Sequence, residues 1–307
     1  MTLAKRKTAG HTAWFDSWRL AAASTTGASH LARAIENQDS FQTNITVLKD
    51  PTQREVRRNE PLIICVADGL GSNRHSAAGA ALATALGQSC AADVFGGQKW
   101  NVISKKTMEI LLRTTCRQVR ESWLTAVSAP SSPRRAPSHA RPLRRGQGLW
   151  RPSSGTAGHP FHTTLVLAVL RPPWLGVAQI GDGFVVAQRG NGQCVLVERR
   201  QESFEYANTV STLGQRPSEV SFTVLYGKDI RGLAVGTDGL EDSVLTQSGT
   251  ARPVPKDAFF TTVFTEVASG ERDSERIVRM LRSPALRAET DDDLTLVVAS
   301  RYDHDRA

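Results

Sequence analysis

Apolar residues in this chain fall into short continuous runs and short alternating ones. Leu62-Ile63-Ile64-Cys65-Val66-Ala67 and Gly232-Leu233-Ala234-Val235-Gly236 are continuous, and each leads into an Asp-Gly pair, as a buried strand feeding a loop does. Phe41, Thr43, Ile45 and Val47 alternate with Gln42, Asn44 and Thr46, which predicts a strand over Phe41 to Leu48. Further strands are predicted over Trp18 to Ser24 and Leu294 to Ser300. After residue 160 they come closely spaced: Thr163 to Leu170, Trp174 to Ile180, Phe184 to Gln188, Gln193 to Glu198, Val220 to Tyr226 and Leu233 to Gly236. Glycine turns such as Arg189-Gly190-Asn191-Gly192 separate several of them, and together they read as an antiparallel meander.

Helices are predicted where the period changes. Ser76 to Ala92 is alanine-rich and suits close packing through small side chains. Ile103 to Val127 carries Ile110, Leu111, Val119, Trp123 and Leu124 near one stripe. Lys256 to Ser269 and Asp273 to Leu281 complete the set. Many short strands between helix pairs predict an α+β fold of two packed antiparallel β-sheets flanked by helices on both outer faces.

Composition refines this picture in two places. At 307 residues and 40% apolar content the chain can bury a sizeable core, and residues 1–307 are expected to form a single domain. The net charge of +8 suggests a nucleic-acid binder until it is located: Ser128 to Pro160 holds six Arg, six Pro and no acid, and outside it 32 basic residues face 30 acidic ones. That stretch is expected to be a mobile basic insert, because its composition cannot offset the entropy of ordering. Only Trp150 within it could stack on a base, which argues against a nucleic-acid partner. Cys65, Cys90, Cys116 and Cys194 lie far apart with no CxxC pair, so a reducing cytoplasm is the expected location. No apolar run has the length to span a bilayer, and Gly10 to Arg19 is too polar for a signal-peptide core.

Candidate chemistry lies in the acids at strand ends. Asp39, Asp68, Asp238 and Asp292 each stand where a predicted strand meets a loop. Any one alone is an ordinary turn residue. Four together offer the oxygen ligands that hard divalent cations require. Two such ions roughly 3.5 to 4 Å apart can activate one water and aim it in line at phosphorus, without a protein nucleophile. Competing motifs are poorer. Cys194 and Arg200 have the Cys-x5-Arg spacing of thiol phosphatases, but Val195 to Glu198 reads as a strand rather than a phosphate-cradling loop. Gly69-Leu70-Gly71 lacks the third glycine of a dinucleotide loop, Arg74 standing in its place, and no GxxxxGK[ST] occurs.

In their order along the chain, Asn37-Gln38-Asp39, Val66-Ala67-Asp68-Gly69, Thr163-Thr164, Ile180-Gly181-Asp182-Gly183, Thr237-Asp238-Gly239-Leu240 and Asp292-Asp293-Leu294-Thr295 resemble the metal-dependent type 2C (PPM) protein phosphatases. Gly27-Ala28-Ser29-His30 and Asp68-Gly69-Leu70-Gly71-Ser72 resemble a bacterial subgroup of that family. The resemblance implies hydrolysis of phosphoserine and phosphothreonine in proteins by a hydroxide bridging two Mg²⁺ or Mn²⁺ ions. It implies that Asp39, Asp68, the carbonyl of Gly69, Asp238 and Asp292 bind metal, with Asp68 bridging, and that a phosphoprotein and a cognate Ser/Thr kinase are the partners. Departures from the pattern matter. Gln38 stands where relatives carry Glu, and Asp293 where Asn is usual. Leu70 replaces a His found in many eukaryotic relatives, so His30, His75 or a metal-bound water is left to supply the leaving group's proton. Arg33 is a candidate phosphate contact, one residue farther from Asn37-Gln38-Asp39 than usual. Asp182 reads as a turn former, and no acid precedes Thr163 to support a third ion. The alternative function is a phosphatase-like scaffold of little or no activity, acting through the basic insert.

Overall fold

The computed structural model describes residues 11–15, 18–44, 61–71, 75–128, 160–197, 211–214, 220–246, 252–269 and 273–301. In chain order its elements begin with β1 (His11–Phe15), β2 (Trp18–Thr25), α1 (Ala28–Ala32), β3 (Ser40–Thr43), β4 (Leu62–Ala67), α2 (Ser76–Gly96) and α3 (Lys105–Ser128). Then come β5 (Leu165–Arg171), β6 (Trp174–Ile180), β7 (Phe184–Arg189), β8 (Cys194–Leu196), β9 (Ser221–Tyr226) and β10 (Ile230–Gly236). The last part comprises α4 (Glu241–Val244), the short pair β11 (Leu245–Thr246) and β12 (Val254–Pro255), α5 (Asp257–Ser269), α6 (Asp273–Leu281), α7 (Pro284–Arg287) and β13 (Leu294–Arg301).

Two antiparallel sheets result, one in the order β1-β2-β13-β10-β7-β8 and one in the order β3-β4-β5-β6-β9. Their inner faces meet through Leu20, Ile64, Val66, Val166, Val185 and Val297. The outer face of the second sheet packs Ile63, Cys65 and Leu167 against Ala83, Phe95, Leu112 and Trp123 of α2 and α3. The outer face of the first packs Ala21, Val186 and Leu296 against Phe260, Phe264 and Leu281 of α5 and α6. In β4, therefore, Leu62, Ile64 and Val66 point inward while Ile63, Cys65 and Ala67 point at helices. A strand buried on both faces has no polar side, which is why its run is continuous. The expected α+β sandwich is the observed one.

Three expectations change in detail. The strands after residue 160 are not one meander: β5 and β6 lie in the second sheet, β7 and β8 in the first, β9 in the second again and β10 in the first. Strands covered on both sides look alike whichever sheet they join. Helix α3 buries the predicted Val119 and Trp123 with Met108, Leu112, Thr115 and Cys116, packs Leu111 and Leu124 against the same core, and leaves Ile110 of the predicted stripe 53% exposed. The first predicted helix runs on to Gly96 and buries Gly79, Ala80, Ala83, Gly87 and Ala91, the expected small-residue face. A strand from Phe41 is seen to Thr43, and the rest of that prediction from residue 45 lies outside the described residues, as does the basic insert from 129 to 159. No described helix is long and apolar enough to cross a membrane.

Candidate metal centre and active site

The sheet registers bring four acid-bearing loops to one edge of the sandwich. Ser40 pairs with Ala67, so Asp39 just before β3 lies beside Asp68 just after β4. Gly236 pairs with Leu296, so Asp238 just after β10 lies beside the loop that carries Asp292 into β13. A threonine joins the two sheets: Thr237 Oγ1 donates to Asp39 Oδ2 at 2.8 Å and accepts the Thr295 N–H at 3.2 Å.

Each acid's backbone is pinned. The Asp68 N–H donates to Thr164 Oγ1 at 2.9 Å, and its carbonyl accepts the Thr164 N–H and Thr163 Oγ1–H, both at 2.8 Å. The Asp39 N–H donates to Asn37 Oδ1 at 2.9 Å, and Asn37 Nδ2 donates to Ser24 Oγ at 2.7 Å. Gly69 donates to the Gln38 carbonyl at 3.2 Å, tying the Asp39 and Asp68 loops together. The Asp292 carboxylate accepts the Asp293 N–H at 2.8 Å, while Arg287 donates to the Asp292 carbonyl at 3.3 Å and to Thr25 Oγ1. Gly27 and Gly239 let other backbone approach this loop, for a Cβ at either would collide with Asp291 to Asp293.

The electrostatics are those of crowded carboxylates. Asp68 is pushed far above the ordinary carboxylate range, first by burial and then by the charges of Asp39, Asp238 and Asp292. Asp39 is likewise raised, by burial and by Asp293, and its carboxyl is hydrogen-bonded to that of Asp68. Asp238 is raised to about 7 by burial, with Asp182 and Asp292 adding to it. Asp68 thus interacts with the other three predicted aspartates, and Asp238 with Asp292. They approach as interacting pairs, and among the described residues no group of three or more His, Cys, Asp or Glu side chains forms a metal cage. No described Lys or Arg forms an ion pair with any of the four. Partly buried, crowded oxygen donors that no described cation pairs with are a set that hard divalent ions fit by charge and by ligand type.

The remaining expectations fall as follows. His30 is buried in α1 with Nδ1 3.0 Å from Asp293 Oδ2. Arg33 is exposed at the end of α1 and bonds the Ser29 carbonyl at 3.1 Å and Ser29 Oγ at 3.3 Å. His75 is exposed and stacks on Phe161 with centroids 5.0 Å apart. Asp182 follows Gly181, whose φ of +94° makes the expected turn, and its charge also reaches Asp238. Cys194 is buried in β8, where burial raises its thiol pKa, so it has neither the loop nor the thiolate of a nucleophile. Cys194→Ser is accordingly expected to leave turnover within about twofold of wild type, measured on any phosphoester the chain hydrolyses. Sequence reasoning missed the clamping roles of Thr163, Thr164 and Thr237, although they sit inside the quoted motifs. It missed Arg287 altogether, since nothing local marks that residue.

A double antiparallel sandwich with oxygen-rich acidic loops at one edge defines a type 2C phosphatase architecture. The family model described as protein phosphatase 2C matches residues 26–282, and the chain belongs to that family. Serine/threonine-protein phosphatase 3 of Escherichia coli (strain K12) is 28% identical over 291 residues, covering 92% of this chain and 98% of that protein. Among solved structures, the serine/threonine phosphatase Stp1 from Staphylococcus aureus is similar in fold, with a TM-score of 0.55 at 14% identity over 98% of this chain and 100% of that one. The catalytic domain of the serine threonine protein phosphatase PstP in complex with two manganese ions is also similar, with a TM-score of 0.52 at 17% identity over 93% and 99% of the respective chains.

Proposed function

We propose that this chain is a serine/threonine phosphoprotein phosphatase that works with two divalent cations, Mg²⁺ or Mn²⁺, held by Asp39, Asp68, the Gly69 carbonyl, Asp238 and Asp292. The observation that carries this reading is the interaction of Asp68 with Asp39, Asp238 and Asp292, acids brought from four loops. Family membership and the names of its relatives support it. When bound, the cations supply Lewis-acid charge to the phosphate and lower the pKa of a water. The protein's own part is to fix the ligands: Thr163 and Thr164 hold Asp68, Thr237 holds Asp39, and Arg287 holds the Asp292 backbone. Arg33 stands exposed at the end of α1 as a guanidinium for the substrate phosphate once released from Ser29, and His30 lies buried within the same helix. The physiological setting of this reading is a bacterial cytoplasm, where the chain reverses a Ser/Thr kinase.

The test is hydrolysis of a phosphothreonine peptide with added Mn²⁺. Activity is expected to fall below about 1% on chelation with EDTA and to return with Mn²⁺, because removing the ions removes several kcal/mol of charge stabilisation. Full activity in EDTA contradicts the reading.

A further inference from the structure

Helix α3 carries a charge imbalance that the chain around it does not share. Lys105–Ser128 holds five basic residues and two acidic ones, whereas the sequence outside residues 128–160 is close to neutral. On the outer side of the helix a shallow groove of about 250 Å³ is lined by Ile110, Arg113, Thr114 and Arg117. Ile110 is more than half exposed there. Arg113 lies over the Phe222 ring of β9, with Cζ 4.3 Å from the centroid, and its Nη2 donates to Glu109 Oε1 at 2.9 Å. Arg117 is exposed, and no described carboxylate pairs with it. Arg113, Arg117 and Arg120 succeed one another at spacings of four and three, where like charges on a helix repel. The helix gains nothing from that order of charges, and an anionic partner relieves it.

The lining specifies what that partner is. Two guanidiniums and the Thr114 hydroxyl are donors suited to carboxylates, and Ile110 beside them offers an aliphatic contact. The Phe222 ring is covered by Arg113, so a nucleic-acid base has no platform to stack on. Acidic side chains flanking an aliphatic one match all four lining residues. The helix also points toward the acid edge. Trp123 donates Nε1–H to the Gly79 carbonyl at 3.1 Å, Gly214 sits between Trp123 and His162, and His162 precedes Thr163, which holds Asp68. Arg117 lies about 9 Å along the axis from Trp123. An extended peptide of eight residues, roughly 26 Å long, has the reach to touch both groove and edge.

We propose that the α3 groove docks an acidic segment of the phosphoprotein substrate, remote from the phosphorylated residue, with carboxylates on Arg113 and Arg117 and an aliphatic side chain on Ile110. This inference rests on the phosphatase reading and adds to it a basis for choosing among phosphoproteins. Exposed charge pairs are individually weak and are screened by salt. Docking of this kind therefore acts by raising the local concentration of substrate, which lowers KM and leaves kcat unchanged.

The test uses the whole Mn²⁺-loaded chain and two phosphothreonine peptides. One carries, eight residues from the phosphothreonine, a run of glutamates around a leucine; in the other, serines replace that run. Wild type is expected to show a KM about 10-fold lower for the acidic peptide at equal kcat, and to lose the difference at high salt. In Arg117→Glu the advantage should vanish while turnover of the serine peptide stays as in wild type, and Ile110→Ser should reduce the advantage about threefold. Both positions are exposed, so neither change threatens the fold. Equal KM for the two peptides in wild type overturns the proposal, as does an advantage that survives Arg117→Glu, the result expected if arginines of residues 128–160 took the peptide instead. Fluorescence anisotropy of a labelled, unphosphorylated acidic peptide reads docking without turnover. Displacement of that label by a single-stranded oligonucleotide more readily than by unlabelled peptide would give the groove to nucleic acid and also overturn the proposal. Peptide binding that Arg117→Glu weakens about 10-fold, in a chain without metal-dependent turnover of any phosphoester, would leave the docking surface standing and overturn the phosphatase reading.

Discussion

Asp68→Asn is expected to lower kcat/KM on a phosphopeptide on the order of 10³-fold or more, and at the same time to raise the melting temperature of the metal-free protein. The loss follows from the proposed reading, in which Asp68, the acid that feels all three others, is a metal ligand whose removal would forfeit several kcal/mol of charge stabilisation. The stabilisation follows from the same crowding. A carboxyl whose pKa is raised on folding binds its proton more tightly in the folded state, so stability is highest at low pH and declines as pH rises from the unfolded value toward the folded one. Asp238, moved from 3.8 to about 7, places its part of that decline between about pH 4 and pH 7. Asp39 and Asp68 are raised too and extend the decline to higher pH. In EDTA, wild-type protein should therefore melt lower at pH 8 than at pH 5, and the advantage of Asp68→Asn should be larger at pH 8. Thermal melting at the two pH values checks this, and equal stability of the two proteins at pH 8 would show that the acids do not repel as described. Such a site sets function against stability.

Gly239→Ala should be nearly as damaging without touching any charge. Its Cβ would collide with the Asp293 carbonyl oxygen and come within 3.4 Å of Asp292 Cβ. A backbone oxygen cannot rotate aside, so the turn holding Asp238 and the loop holding Asp292 must separate. A displacement near 1 Å in such a constellation costs about 10²-fold in rate, and the overpacking costs about 1 to 3 kcal/mol of stability. Gly96→Ala is the control: nothing lies within 4 Å of its Cβ, at the end of α2. It should leave both rate and melting temperature close to wild type. A harmless Gly239→Ala would mean that the close packing of these loops does not set the ligand positions.

The fold was legible where burial wrote a period into the chain. β4 and β6 begin and end where their apolar runs do, and the small-residue face of α2 follows directly from Gly79, Ala80, Ala83 and Gly87. What could not be read was the partner of each buried strand. β6 and β7 are separated by only Gly181, Asp182 and Gly183, yet that turn carries the chain from one sheet to the other. An apolar strand covered on both faces contains no residue that names its sheet. Ile110 misled because Leu111 beside it supplied an apolar pair, whereas the packed stripe is centred on Met108, Leu112 and Cys116. α1 and α7, of five and four residues, are too short to show a period.

The acid cluster was legible because four strand-end aspartates are a chemical pattern independent of contact. Its supporting hydrogen bonds were not. Thr237 reaches Asp39 across 198 positions, and Asp293 reaches Gly27 across 266. Such partners are set by which sheet edges meet, and no local spacing encodes them. Arg287 is the clearest case, a cation at the end of α7 whose contacts with Asp292 and Thr25 exist only in the folded chain.

Equilibrium dialysis against Mn²⁺ tests the core of the account without reference to any substrate. Wild-type protein is expected to retain two ions per chain, and Asp68→Asn to lose that binding, since Asp68 is the acid that interacts with the other three. A wild-type chain that hydrolyses phosphothreonine peptides while retaining no divalent ion would contradict the claim that these aspartates are there to hold metal.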